Sequence, residues 1–196
     1  MINLDNGYYI KELTKEEFLA AQGDKGKVAF ANDHAIFPIS YLSEDEREVL
    51  KKLNSEMDAK PYVLHLAAFD KNDELIGWCY GRQEDAHRFY MCNSGVVESH
   101  RRKGIYSALL KQTMKLLKEK GFQVIYSRHN ATNNAVLIPK LKAGFRISNM
   151  ELCDMFGVLV HLKYYTNPLR RKILDYRAGQ LAPDEELQKL FKPQPV

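Results

Sequence analysis

Between Ile105 and Leu117 the apolar positions fall at helical spacing. Ile105, Ala108, Leu109 and Leu116 recur three and four apart or in register, and Leu110, Met114 and Leu117 widen the stripe. An amphipathic helix is predicted here, with Gly121 just past its end. Upstream the pattern changes period. PYVLHLAAF, ELIGWCYGRQ and RFYMCNSGVV read as three strands separated by the turn signals DKND and EDAH. Downstream, FQVIYSRH is a strand, NNAVLIPKLKAGF a helix closed by Gly144, and RISNMELCDMF with VLVHLKYYT a hairpin. Near the N-terminus YYIKEL is a short strand, and Thr14 with Glu17 forms a capping box for a helix toward Ala21. Ser43 and Glu46 form a second box, and Gln22 to Ile39 reads as an irregular loop.

This order predicts an α/β (α+β) fold: a central mixed, largely antiparallel sheet of about seven strands, with helices on both faces. Residues 1–166 form the domain, and 167–196 a short helical extension that docks on the domain or on a partner subunit. Gly95 is read as a bulge that starts a parting of two strands. The aromatics Trp78, Tyr80, Phe89 and Tyr90 are read as core or cleft wall.

The strand–helix turn at the end of RFYMCNSGVV holds an electrostatic conflict. Arg101, Arg102 and Lys103 crowd a helix start, where free N–H groups already carry about half a positive charge. An anion resolves it, because the groups that repel cations attract phosphate, and Gly104 lets backbone approach closely. A solvated basic turn is the alternative. Neither GxxxxGK[ST] nor GxGxxG occurs in the sequence.

Composition narrows the field. The 196 residues are 45% hydrophobic and 28% charged, enough for one domain with a real core. A net charge of +4 is mild and argues against nucleic acid as the main partner. Cys79, Cys92 and Cys153 lack metal-ligand spacing, as do the histidines, so reduced thiols and no metal are expected. No window is apolar enough to span a membrane and the first residues do not read as a signal peptide, which points to the cytoplasm.

VVESHRRKGIYSALL resembles the signature of the general N-acetyltransferase (GNAT) superfamily, whose pyrophosphate loop reads Arg/Gln-x-x-Gly-x-Gly/Ala; here it is Arg101 to Tyr106. VIYSRHNATNNAVLIPKLKAGF is similar to the family's following strand, Asn, helix and Gly-Phe. The resemblance covers about residues 8 to 166. It implies acetyl-CoA as co-substrate, with Val96 and Val97 pairing with the pantetheine arm. Arg101, Arg102, Lys103, Gly104, Ile105, Tyr106 and Ser107 would wrap the pyrophosphate, and Asn133 would lie near the pantetheine or cap its helix. Two positions depart from the pattern. Tyr106 stands where Gly or Ala is usual and must point away from the phosphates or stack on the ligand. Lys140 stands where many members carry a tyrosine as acid for the leaving thiolate, and is read as a solvated surface lysine.

The implied activity is acetyl transfer from acetyl-CoA to a primary amine of a small molecule or protein whose identity the sequence does not give. Such a reaction draws most of its rate from proximity and from an N–H polarising the carbonyl. His129 has the intrinsic pKa of a general base, and Tyr90 can serve in a water chain; Glu84 and Glu98 are further candidates. A homodimer is an expected assembly. Two other classes compete: an acyl-CoA-binding sensor or scaffold without catalysis, and an RNA-binding module using the basic turn, which would show strong salt dependence.

Overall fold

The computed structural model describes residues 1–4, 7–25, 44, 61–85 and 87–191. The Ser43/Glu46 capping box and most of the Gln22 to Ile39 loop lie outside them. Among the described residues one sheet of eight strands runs in the order β1-β2-β3-β4-β5-β6-β8-β7. The strands are β1 (Ile2–Asn3), β2 (Tyr9–Glu12), β3 (Val63–Phe69), β4 (Leu75–Gln83), β5 (Arg88–Val96), β6 (Val124–Asn130), β7 (Arg146–Cys153) and β8 (Gly157–Tyr165). The strand beyond the expected seven or so is β1, whose two residues are too short to carry a period.

Among the described residues the longer helices are α1 (Lys15–Gln22), α2 (Ile105–Glu119), α3 (Asn134–Lys142), α4 (Pro168–Arg177) and α5 (Glu185–Phe191). The Thr14 box is present with both bonds: Thr14 N–H donates to Glu17 Oε2 at 2.8 Å and Glu17 N–H to Thr14 Oγ1 at 3.2 Å. Gly121 and Gly144 end α2 and α3 with φ of 90° and 95°, the left-handed conformation in which a side chain is disfavoured.

The helices cover both faces. On one, Ile105, Leu109, Leu110 and Leu117 of α2 pack with Leu64, Leu66, Phe89, Ile125 and Phe145, all buried. Four such aliphatic side chains contribute roughly 1.5–3 kcal/mol each. Gly77 makes the close approach possible, since a Cβ there would sit 3.1 Å from Ile105. The other face holds Phe18 of α1 with Ala67, Phe69, Leu75 and Trp78. Lys111, Lys115 and Lys118 line the outer side of α2 in solvent. The C-terminal helices dock on this same chain: Arg171 donates to the Gly144 carbonyl at 2.8 Å, and Leu187 is buried.

All neighbouring strands are antiparallel except β5 and β6. That parallel pair joins only Arg88–Val124, Phe89–Ile125 and Tyr90–Tyr126. Beyond Tyr90, β5 stays with β4 as far as Val96, while β6 stays with β8 as far as Asn130. The sheet therefore opens into a notch between β5 and β6. The bulge beside the notch is Cys92, not Gly95: Tyr80 pairs with Asn93 but Gly81 with Met91, leaving Cys92 as the extra residue. Gly95 is in register with Trp78, and it is glycine because a Cβ there would lie 2.5 Å from the Trp78 ring.

Candidate active site

Three features meet at the notch. The first is the turn at the end of β5. A 3₁₀ turn (Glu98–His100) leads into Arg101, whose Nε donates to the Val96 carbonyl at 3.2 Å. Arg102 and Gly104 then take φ of 61° and 78°, and α2 begins at Ile105. Left-handed residues in such turns gather backbone N–H groups into anion-binding concavities. No side chain caps α2 and its first turn holds no acid. Ala108 N–H is bonded to the Gly104 carbonyl at 3.0 Å, so the N–H groups before it are the usual orphan donors of a helix start. Nothing lies within 4 Å of a Cβ built on Gly104, so the space beside it is open.

Arg101, Arg102, Lys103, Gly104 and Ser107 are exposed around this turn, while Ile105 anchors it in the core. Tyr106 resolves its departure from the motif by turning inward. Its ring packs on the core, its hydroxyl is buried with no partner among the described residues, and burial pushes its pKa far up. The open side of the turn is thus left to backbone and to the three cations. An open groove of about 550 Å³ continues from Ser107 between α2 and α3, with Lys111 and Lys142 in its walls.

The second feature is the notch itself. Val96 pairs with Gly77, and Val97 N–H donates to the Ile76 carbonyl at 2.9 Å, so both belong to the β4 side. Among the described residues, the β5 edge that faces β6 has no strand partner past Tyr90. Free edge groups of this kind pair with an amide-containing chain. Asn133 occupies the N-cap position of α3, but its exposed side chain makes no capping bond. It faces neither of the other two features through any hydrogen bond.

The third feature was not foreseen. Lys140 is not on the surface; it is 1% exposed. Its Nζ donates to Ser127 Oγ at 2.6 Å, lies 3.5 Å from Met91 Sδ, and sits 5.0 Å from the centre of the Phe145 ring. Ser127 Oγ is in turn 2.9 Å from His129 Nε2. Burial lowers the Lys140 pKa to about 7, with Cys79 acting the other way. A fall of that size disfavours the ammonium by about 5 kcal/mol relative to water. Burial, and then the Lys140 charge, lower His129 to about 3. The imidazole is therefore neutral at any working pH.

Strand alternation divides the candidates between two faces. Ser127 and His129 point to the α2 and α3 side. Tyr90 packs against Tyr126 on the opposite side, with ring centres 5.0 Å apart and the planes tilted by 32°, and there Arg128 Nε donates to Tyr90 Oη at 3.4 Å. Arg128 also pairs with Glu151 at 3.3 Å, and His161 bonds Glu151 at 2.6 Å, holding that carboxylate below its usual range. A hydrogen bond from Tyr126 engages Glu84 there, and Glu98 is exposed in the 3₁₀ turn. His129 and Tyr90 are thus not brought together.

The fold matches known proteins. A profile of the acetyltransferase (GNAT) family matches residues 28–145. The chain belongs to that family, and it is an acyltransferase that uses acetyl-CoA as co-substrate. Similar solved structures share the fold at low identity. The ribosomal-protein-S18-alanine N-acetyltransferase of Escherichia coli superposes with a TM-score of 0.58 at 16% identity, covering 82% of this chain and 94% of its own. The yncA protein of Salmonella typhimurium, solved with its cofactor acetyl-CoA, gives 0.60 at 14%, covering 83% and 95%. NAA60 of Arabidopsis thaliana, in complex with a bisubstrate analogue, gives 0.56 at 17%, covering 81% and 97%. No curated protein sequence matches the chain.

Proposed function

We propose that the protein transfers the acetyl group of acetyl-CoA to a primary amine. The observation that carries this reading is the notch past Tyr90 and Tyr126, with the Arg101–Gly104 turn at the far end of its β5 wall. In this reading the N–H groups of the turn, with Arg101, Arg102 and Lys103, hold the pyrophosphate. The free β5 edge up to Val96 and Val97 orients the pantetheine, and the exposed Asn133 amide at the start of α3 is a further contact for it. Binding fixes the thioester carbonyl where an incoming amine can reach it, which converts a bimolecular encounter into a positioned one. His129, held neutral, acts as a hydrogen-bonding group and not as a strong base. The amine loses its proton to water, with Tyr90 the candidate in that water chain. The free thiols Cys79, Cys92 and Cys153 fit a cytoplasmic setting.

The acceptor is open to a direct screen. Amino acids, polyamines, aminoglycosides and peptide N-termini are each mixed with acetyl-CoA, and released thiol is read. At least one amine class is expected to raise thiol release well above the amine-free rate. Tight coenzyme A binding with no turnover on any amine would instead favour a sensor or scaffold.

A further inference from the structure

Lys140 puts a primary amine of the protein's own inside the notch. The two residues that its Nζ meets through polar atoms are Met91 and Ser127, at 3.5 Å and 2.6 Å. Each follows directly on the last paired residue of its strand, Tyr90 or Tyr126. The amine therefore sits at the inner end of the notch, where β5 and β6 part. No carboxylate pairs with it among the described residues, so it is not half of a structural ion pair.

The surroundings of this nitrogen leave it nucleophilic. Nζ donates to Ser127 Oγ and to Met91 Sδ, and Ser127 Oγ lies 2.9 Å from His129 Nε2. A neutral imidazole can accept the Ser127 proton at Nε2, so the hydroxyl oxygen is left to accept from the lysine. Both N–H groups of a neutral amine are then engaged, and among the described residues nothing donates to its lone pair. Burial supplies the neutral form. With a pKa of about 7, about half of Lys140 is uncharged at pH 7, roughly 10³ times the fraction of an ordinary lysine. The titratable groups acting on it are Cys79 of β4, which raises its pKa, and His129 of β6, whose own pKa its charge lowers.

We propose that Lys140 is a self-acetylation site, whose Nζ takes the acetyl group of acetyl-CoA held in the same notch when no acceptor amine is present. The proposal rests on the acetyl-transfer reading above. In that reading the pyrophosphate lies at the Arg101–Gly104 turn and the pantetheine follows the β5 edge back from Val97, so the thioester leads inward toward Met91. Nζ needs to meet that thioester and not bulk solvent, so its burial is no bar. The Nζ lone pair attacks the thioester carbon, the carbon–sulfur bond breaks, and its electron pair stays on sulfur. The nitrogen loses one proton to water and the sulfur takes one from water. The products are an amide on Lys140 and free coenzyme A. The acetyl group stays where the next one would go, so each chain reacts once.

The test needs only wild type. The protein is incubated with acetyl-CoA and no acceptor, then digested, and acetyl-lysine is quantified at each position by mass spectrometry. The exposed Lys71 and Lys118 report acetylation that does not pass through the notch. At pH 7 Lys140 should be modified about tenfold or more faster than either, with a burst of thiol approaching one per chain. Its rate should saturate with acetyl-CoA and level off above about pH 8, while theirs should rise in proportion to acetyl-CoA and up to about pH 10. Excess coenzyme A should suppress the reaction at Lys140 alone. Lys140 modified no faster than Lys71 and Lys118, while a raised Tm shows coenzyme A bound, overturns the proposal and leaves the acetyl-transfer reading standing. Modification that excess coenzyme A does not suppress overturns it as well. A half-time that shortens as protein concentration rises would assign the reaction to a second molecule, which also contradicts the proposal. Failure to bind coenzyme A at all would overturn the acetyl-transfer reading itself, and the proposal with it.

Discussion

Lys140 Nζ lies 2.6 Å from Ser127 Oγ, and among the described residues that hydrogen bond and a longer one to Met91 Sδ are what a fully buried lysine has in place of a carboxylate. Everything unusual about the inner end of the notch follows from this. A buried cation without a counter-charge is costly, and the protein meets that cost by holding the amine close to its neutral form.

Stability should record this. Lys140 has a folded pKa of about 7 against an ordinary 10.5, so between those values the unfolded chain binds more protons than the folded one. Stability then rises with pH across that window, by about 1.4 kcal/mol per unit at the steepest. Urea unfolding at pH 7 and pH 9 should show the rise in wild type. Lys140→Met should remove it while being at least as stable at pH 7, since a buried charge replaced by a well-packed apolar group is often neutral or stabilising.

His129 contributes the same sign at lower pH. Its folded pKa of about 3 lies below the ordinary 6.5, so stability falls as pH drops from about 6.5 toward 3. His129→Ala should flatten that acid loss. Once an acceptor is found, the variant should lower kcat with little effect on coenzyme A affinity. The acidic limb of the pH–rate profile should stay in place, because a neutral imidazole does not set it. A limb that moves would make His129 the general base.

Gly95 and Gly104 are glycines for different reasons, and substitutions should separate them. Gly95→Ala places a methyl group 2.5 Å from the Trp78 ring and should destabilise by about 1–3 kcal/mol through overpacking. Gly104→Ala meets no neighbour but must keep φ near 78°, which costs roughly 1–2 kcal/mol. Gly104→Asp adds a negative charge where the proposed reading puts the phosphates and should abolish coenzyme A binding. Calorimetric unfolding and titration of coenzyme A measure both effects.

The order of elements and the basic turn before α2 were legible because their signals are local. The 3.6-residue stripe of α2, the Thr14 box, the terminal glycines and the Arg101–Gly104 cations all speak within a few residues. Lys140 was not legible for the converse reason. In α3 the apolar Ile138 and Leu141 are 50% and 39% exposed while the lysine points inward, so hydrophobicity gives the wrong face. The usable signal was its position, four residues before Gly144, at the site the family often gives to tyrosine. The Cys92 bulge likewise depends on cross-strand register, which glycine content alone does not set. That Tyr90 and His129 face opposite sides could have been read from strand parity, but only with the β5–β6 register known.

The central claim is that the notch and its basic turn hold acetyl-CoA, and thermal unfolding with increasing coenzyme A tests it most directly. Ligand bound only to the folded state stabilises by about 2.7 kcal/mol at one hundred times Kd. For a chain of this size that raises Tm by roughly 5–10 °C. The account predicts a rise that grows with the logarithm of coenzyme A concentration and is lost in Gly104→Asp. An unchanged Tm at millimolar coenzyme A, or an equal rise in Gly104→Asp, would contradict it.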